Sequence, residues 1–383
     1  MRLFLPFALL LGARQVAEAQ LPINGLHIEA GIGVDTTIGP TREIVGLLRR
    51  YLTARTEAER DVLWSASERA RWPMYDLVGP AVYTGGTRFA VLEVAPAVGL
   101  KSTYRLRVLV STDGQMGRSQ QPLILYQIYA VFERSRWVLA NALPRLTRYW
   151  RSTTVGAITF TYLPGHPFSP TRAAASARFV DSLAAAFDQG QPKPITYYFT
   201  DDLGATLQAL GLELYPFAPD TIGGRSNGFN RQVFVGLPGI GESYRHELAH
   251  VVLQPLITSQ TAGFVMEGLM TWVGGRAGRR FSDLVPALNG YLAMHPTITL
   301  DTIVRDPPPR AGPVDPGSDG IAVLCAMVHA AGGVSALRSL LAAGRAPDAV
   351  LGAAGRILGR TRDGVAADWR AMVSRLGGNR PIQ

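Results

Sequence analysis

The chain has 383 residues, 47% hydrophobic and 17% charged, which is apolar mass for two ordinary domains and excludes a disordered chain or a disulfide-stapled miniprotein. Basic residues outnumber acidic ones 38 to 29, for a formal charge of +9, and only two of the basic residues, Lys101 and Lys193, are lysines. The arginines are scattered, with Arg49-Arg50 and Arg279-Arg280 the longest runs, so there is no concentrated basic tract and no nucleic acid is expected as partner.

The N-terminus reads as an address. Arg2 precedes an apolar run from Leu3 to Leu11, and Ala17-Glu18-Ala19 supplies a small-x-small cleavage site, so residues 1–19 are expected to be a signal peptide removed after Ala19. The run is about half the ~20 residues that span a bilayer. The expectation is an exported protein, periplasmic, cell-surface or extracellular, with no membrane span. Cys325 is the single cysteine, which excludes an intramolecular disulfide, and its apolar run Ile321–Val328 predicts a buried, inert thiol.

Residues 20–40 read as an irregular arm, with Pro22, Gly25, Gly31, Gly33 and Gly39 too close together for a stable element. A first α+β unit is expected over 41–150. Ile44, Leu47, Leu48, Tyr51, Leu52, Val62 and Leu63 predict helix from Thr41 to about Arg71. Strand-like runs follow at Phe89–Val94, Tyr104–Ser111, Leu123–Glu133 and Trp137–Leu143, and Tyr126, Tyr129, Phe132 and Trp137 within them are expected in the core. Helices followed by a curved antiparallel sheet resemble the nuclear-transport-factor-like cone fold, one wall of which could also hold a ligand; in the non-catalytic alternative given below, this domain binds a partner protein.

A second unit is expected over 153–376. Gly156–Leu163, Ile195–Thr200 and Arg231–Leu237 read as strands and Thr171–Phe187 as helix, with Asp201 or Asp202 capping a further helix to Leu210. Gly223–Gly228 reads as a loop. From Glu242 onward the pattern is helical, broken at Pro255, Gly274-Gly275 and Pro307–Pro309. The fold class is therefore α+β.

The chemistry is concentrated in Glu242–Leu253. Ser243 is a plausible N-cap and Pro255 stops the helix. His246 and His250 are four apart, so both imidazoles leave one helix face and can share a metal ion, while Glu247 stands where it reaches a bound water. A chain of this composition would hold H-E-x-x-H by chance roughly 0.003 times. Leu253 and Leu256 stand where metzincins carry Gly and His, which excludes that subclass. Glu267 is the only glutamate after Glu247 and lies in a second apolar helix that Thr261 can cap and Gly274-Gly275 can end, making it the expected third ligand. Asp283, His295 and Asp301 are the alternatives. His27, His166 and His329 are isolated, and Gly31-Ile32-Gly33 and Gly239-Ile240-Gly241 lack the context of a nucleotide fingerprint.

His246-Glu247-Leu248-Ala249-His250 followed by Met266-Glu267-Gly268-Leu269 resembles the gluzincin metallopeptidases, in particular the small peptidase-MA-like bacterial proteins, over about residues 153–376. The resemblance implies a zincin-like domain of small mixed sheet, active-site helix, glutamate helix and helical C-terminal part. It implies one Zn2+ per chain on His246, His250 and Glu267, Glu247 as catalytic base, and strand 231–237 as the edge strand along which a peptide or protein substrate lies. Two positions depart from the family pattern. Thr271 replaces an acidic residue that supports a ligand histidine, and Pro316–Ile321 lacks the usual oxyanion Tyr or His, leaving Tyr244, Tyr291 or His295 as substitutes. The expected function is zinc-dependent peptide hydrolysis. The alternative is a catalytically inactive zinc-site protein acting in binding or assembly.

Overall fold

The computed structural model describes residues 27–31, 34–78, 87–112, 122–215 and 223–378. The expected signal peptide and its cleavage site lie outside them. The arm expected to be irregular contains a strand, β1 (His27–Ala30), parallel to β2 (Thr87–Pro96). Gly31 allows this approach: its amide donates to Val91 O at 2.8 Å, and a Cβ there would stand 2.9 Å from the same oxygen.

The helical spacing over 41–71 resolves into three helices. α1 (Gly39–Thr53) buries Ile44, Leu47, Leu48, Tyr51 and Leu52. α2 (Glu57–Asp61) starts at a reciprocal box in which Thr56 Oγ1 accepts from Glu59 N and Thr56 N donates to the Glu59 carboxylate. Such a box satisfies the free amides of a helix start, which is why the repeat breaks there. α3 is Ala66–Arg71.

β2, β3 (Thr103–Thr112), β4 (Pro122–Glu133) and β5 (Arg136–Ala140) form an antiparallel meander. Its register shifts at Val91/Glu93 and Val110/Ser111, irregularities that add local twist. β5 ends short of Leu143 because Leu143–Leu146 turns as α4, with Pro144 in its first turn. Tyr126 and Tyr129 are buried as expected. Phe132 is not: it is 47% exposed and packs edge-on to Trp137 at the sheet rim.

A second sheet has the order β10-β11-β8-β7-β6. β6 (Arg151–Val155) hairpins onto β7 (Ile158–Tyr162); its polar R-S-T-T-V gave no apolar signal. α5 (Pro170–Ala186) leads to β8 (Ile195–Phe199), parallel to β7. Asp202 caps α6 (Leu203–Ala209) by accepting from Ala205 N at 2.7 Å, and β9 (Leu212–Leu214) then pairs with β4 of the first sheet. β10 (Gly224–Asn227), in the segment read as a loop, is antiparallel to β11 (Gln232–Val235), which is parallel to β8. The expected edge strand is therefore interior, and among the described residues β10 is the edge. All four residues of β11 are buried, as a strand covered on both faces must be.

The faces of this sheet divide the core. Tyr197, Phe199, Val233 and Val235 pack toward α5 and the metal-motif helix, whereas Tyr198 and Phe234, stacked at 5.2 Å, turn to the first sheet and join Leu207, Leu210 and Leu212 there. Helices complete the chain: α7 (Arg245–Leu253), α8 (Gly263–Gly274), α9 (Phe281–Met294), α10 (Leu300–Arg305), α11 (Pro316–Leu341), α12 (Pro347–Leu358) and α13 (Arg362–Gly377). Contrary to the sequence reading, α11 is long and apolar enough to cross a bilayer by length and composition. Half of its apolar window is buried in the protein, however, and non-helical Gly332-Gly333 interrupts it. Cys325 is buried within it, as expected.

Candidate metal centre

The cap position of α7 is Tyr244, not Ser243, and the Tyr244 side chain makes no cap hydrogen bond. The Tyr197 hydroxyl does that work instead, accepting from Tyr244 N at 3.1 Å and donating to Gly241 O at 2.7 Å. The helix ends at Leu253 and is followed by a 3-10 turn, Gln254–Leu256, that contains Pro255. α8 likewise lacks its expected cap: Ala262 occupies the cap position, and Thr261 Oγ1 accepts from Thr258 N. Gly274-Gly275 ends it as expected.

α8 folds back on α7 and brings Glu267 to the histidine pair. His246 Nε2 lies 3.3 Å from His250 Nε2 and 3.3 Å from Glu267 Oε2, and His250 Nε2 lies 3.5 Å from Glu267 Oε1. Tetrahedral zinc, with ligand bonds of 2.0–2.1 Å, holds its donor atoms roughly 3.3–3.4 Å apart, so these three donors fit that ion. Among the described residues this is the one group of His, Cys, Asp or Glu arranged to hold a metal. Asp283 is bound to the Arg280 amide at the start of α9, Asp301 pairs with Arg305 and Arg362, and His295 stacks on Tyr291 at 4.2 Å. None of these alternatives joins the trio.

Burial works against the Glu267 carboxylate, yet the charge of His250 and hydrogen bonds from both histidines hold it well below the usual carboxylate range. Burial likewise opposes a charged His246, but the Glu267 and Glu247 carboxylates and the Gly275 carbonyl raise its pKa. A cation at the same point takes over the role of those protons, so binding competes with acid.

Thr271, in place of the acidic residue, is fully buried, and its Oγ1 has no hydrogen-bond partner. His246 is oriented from elsewhere: its Nδ1 lies 2.8 Å from Gly275 O, which leaves Nε2 for the trio. Gly274 makes this approach feasible, because a Cβ there would stand 2.8 Å from His246 Cα. Gly268, beside Glu267, serves the other side, where a Cβ would stand 2.6 Å from Ile321 Cβ of α11. These contacts leave only repeated glycines as a trace in the sequence.

Glu247 is buried on α7 under the edge strand. A Cβ on Gly224 of β10 would meet Tyr244 Cε1 at 2.6 Å and Glu247 Cγ at 3.0 Å, so the strand packs closely against Glu247. Arg225, next along β10, is half-buried; burial lowers its pKa, and the Tyr215 and Glu247 charges oppose that shift. Of the oxyanion candidates, Tyr244 stacks on His246 with centroids 6.1 Å apart, and burial foremost, with Glu247 beside it, pushes its phenol pKa up. Tyr291 and His295 spend their contacts on each other. His166 sits against Glu242 at 3.3 Å, and His329 packs on Trp272; both are structural placements.

Comparison with protein-family models gives no match, and comparison with curated proteins gives none. Among solved structures the chain is similar to a variant of an M1 zinc metallopeptidase from Deinococcus radiodurans bound to a Tyr-Ser-Ala substrate, at 13% identity and a TM-score of 0.32, over 77% of this chain and 64% of that one. A two-domain M1 zinc metallopeptidase variant bound to L-tryptophan gives 12% identity and a TM-score of 0.32, over 78% and 64% of the two chains. A further M1 zinc metallopeptidase structure from Deinococcus radiodurans gives 11% and 0.30, over 77% and 64%. This chain thus spans less than two thirds of the solved structures it is similar to.

Proposed function

We propose that the protein is an exported zinc-dependent metallopeptidase of gluzincin type, with His246, His250 and Glu267 as ligands of one Zn2+ and Glu247 as general base. The observation that supports this reading best is the tripod of donor atoms 3.3–3.5 Å apart beside a carboxylate outside the ligand set. When bound, zinc supplies Lewis acidity toward a peptide carbonyl and toward water. Glu247 takes the proton of the attacking water and passes it to the leaving amine. The open edge of β10 offers backbone groups to an extended peptide laid beside Glu247. The unit over 41–150, of nuclear-transport-factor-like type in this proposal, delivers or regulates substrate, and that over 153–376 carries the chemistry. A purely structural zinc site has no use for Glu247, since such sites fill the fourth position with protein.

The test is the metal content of the mature protein, residues 20–383, beside its Glu267→Ala variant, followed by peptide-library hydrolysis with Glu247→Gln. The expected outcome is about one zinc per chain, sharply weakened in Glu267→Ala, and hydrolysis abolished in Glu247→Gln with zinc retained. A parent that purifies without zinc under chelator-free conditions overturns the proposal. A zinc-loaded parent that hydrolyses nothing replaces the enzyme with a zinc-site binding or assembly protein.

A further inference from the structure

We propose that the Arg276–Asp319 ion pair is a positioning device for His246, and that it sets how tightly the centre holds its metal by fixing the turn that carries the Gly275 carbonyl. The inference rests on the zinc reading above. It starts from the four residues after α8. Arg276 and Arg279 exchange backbone hydrogen bonds, each of 2.9 Å, around Ala277 and Gly278, whose φ values of 47° and 77° are left-handed. Just before this turn, Gly275 O holds His246 Nδ1 at 2.8 Å. Beside it, the Tyr244 ring stacks on His246. The residue that leads into this short turn is therefore the direct partner of His246 Nδ1.

The side chain that ties this turn to the protein body is Arg276. Its Nε and Nη2 donate to the two oxygens of Asp319 at 3.1 and 2.9 Å, and Nη2 also donates to Pro313 O at 2.8 Å. Asp319 is 1% exposed and accepts from Asp315 N as well. A two-bond fork fixes direction as well as distance, which a single point charge does not. Asp319 belongs to the first turns of α11, where α11 presses on Gly268 of α8, so the fork is anchored to the element that also backs Glu267. Thr271 offers no substitute, since its hydroxyl makes no hydrogen bond, and Gly275 O is the one described partner of His246 Nδ1. In this chain the start of α11 thus serves to hold a ligand's support.

The experiment measures zinc affinity by competition with a chromophoric chelator, the absorption spectrum of the cobalt(II)-loaded protein, and the metal-free thermal midpoint. The proteins are the parent, Arg276→Ala, Asp319→Asn, Arg276→Lys and, as a control, Arg145→Ala, which breaks the comparably buried Arg145–Glu68 pair far from the turn in sequence. Losing a partner of a metal-bound histidine typically costs 10–100-fold in metal affinity. Arg276→Ala and Asp319→Asn should each lose zinc affinity in that range and change the cobalt bands. Arg276→Lys, keeping charge without the fork, should recover part of both. Arg145→Ala should lower the midpoint and leave affinity and spectrum unchanged. Parental affinity and spectrum in the Arg276 and Asp319 variants overturn the proposal, as does an equal affinity loss in Arg145→Ala. If Arg276→Ala does not fold, Arg276→Lys and Asp319→Asn decide by the same criteria. A parent that binds no zinc refutes the zinc reading itself; a parent that binds, with unaffected variants, refutes only the positioning role.

Discussion

Gly224→Ala puts one methyl group between the edge strand and the base. In an ordinary strand this change is favourable by about 0.5–1 kcal/mol, because glycine loses the most chain freedom on folding. At this position the new Cβ would stand 2.6 and 2.8 Å from Tyr244 ring carbons and 3.0 Å from Glu247 Cγ. Neither neighbour can yield cheaply: Tyr244 is 6% exposed and stacked on His246, and Glu247 is also 6% exposed. Overpacking of this kind costs about 1–3 kcal/mol, which against that gain leaves a net loss of about 0–2.5 kcal/mol and a thermal midpoint lowered by at most several degrees. On the proposed peptidase reading the larger effect falls on turnover, since β10 and Glu247 are pushed apart and a misplacement near 1 Å costs on the order of 10²-fold. Steady-state hydrolysis, zinc content and thermal midpoint are measured together, beside Gly165→Ala, whose Cβ meets nothing within 4 Å. Gly224→Ala should keep its zinc and lose most of kcat, whereas Gly165→Ala should match the parent. A parental kcat, or a loss of zinc in step with activity, would refute the contact between β10 and Glu247 as the cause.

The remaining predictions concern parts of the chain away from the centre. Gly290 is exposed inside α9 and a Cβ there meets nothing, so Gly290→Ala should stabilise by about 0.5–1 kcal/mol in denaturant unfolding, and a destabilised variant would contradict this helix placement. Cys325 is fully buried, and burial pushes its thiol up to about 12, so a thiol reagent should label it only at the rate of unfolding; fast labelling of the native protein would contradict its burial. The same group makes stability fall with alkali. Above about pH 9 the unfolded chain releases the thiol proton that the folded chain keeps, so unfolding is favoured until about pH 12. Cys325→Ala should flatten the first part of that decline, and an unchanged alkaline profile would assign it to the buried tyrosines Tyr126 and Tyr197 instead, whose pKa values burial also raises.

Much of the candidate site was legible because it is local. Placing His246 and His250 on one helix face needs only 3.6 residues per turn, and Pro255 and Gly274-Gly275 stop their helices by backbone sterics and conformational freedom alone. The runs of β-branched and aromatic residues that mark β2 to β5 and the apolar face of α1 are equally local signals. Where local signals competed with tertiary ones they failed. Ser243 and Thr261 have the right chemistry for caps, but Tyr197 from β8 holds the start of α7, and Thr261 turns back to Thr258. The apolar repeat through residue 71 hid a capping box that splits it.

What only the tertiary structure decided is which groups meet. By itself, the sequence determined an α+β chain with two histidines on one helix face, a neighbouring carboxylate and a single later glutamate in an apolar helix. It did not determine that β10 is the edge strand and β11 an interior one, because edge status belongs to the pairing partner and not to the strand's own residues. Nor did it determine that Gly275 O orients His246 where an acidic side chain was missing, or that Asp319 answers Arg276 from a helix more than forty residues away. A backbone carbonyl has no side-chain signature, and an ion pair across that separation forms only once the helices between its partners have packed.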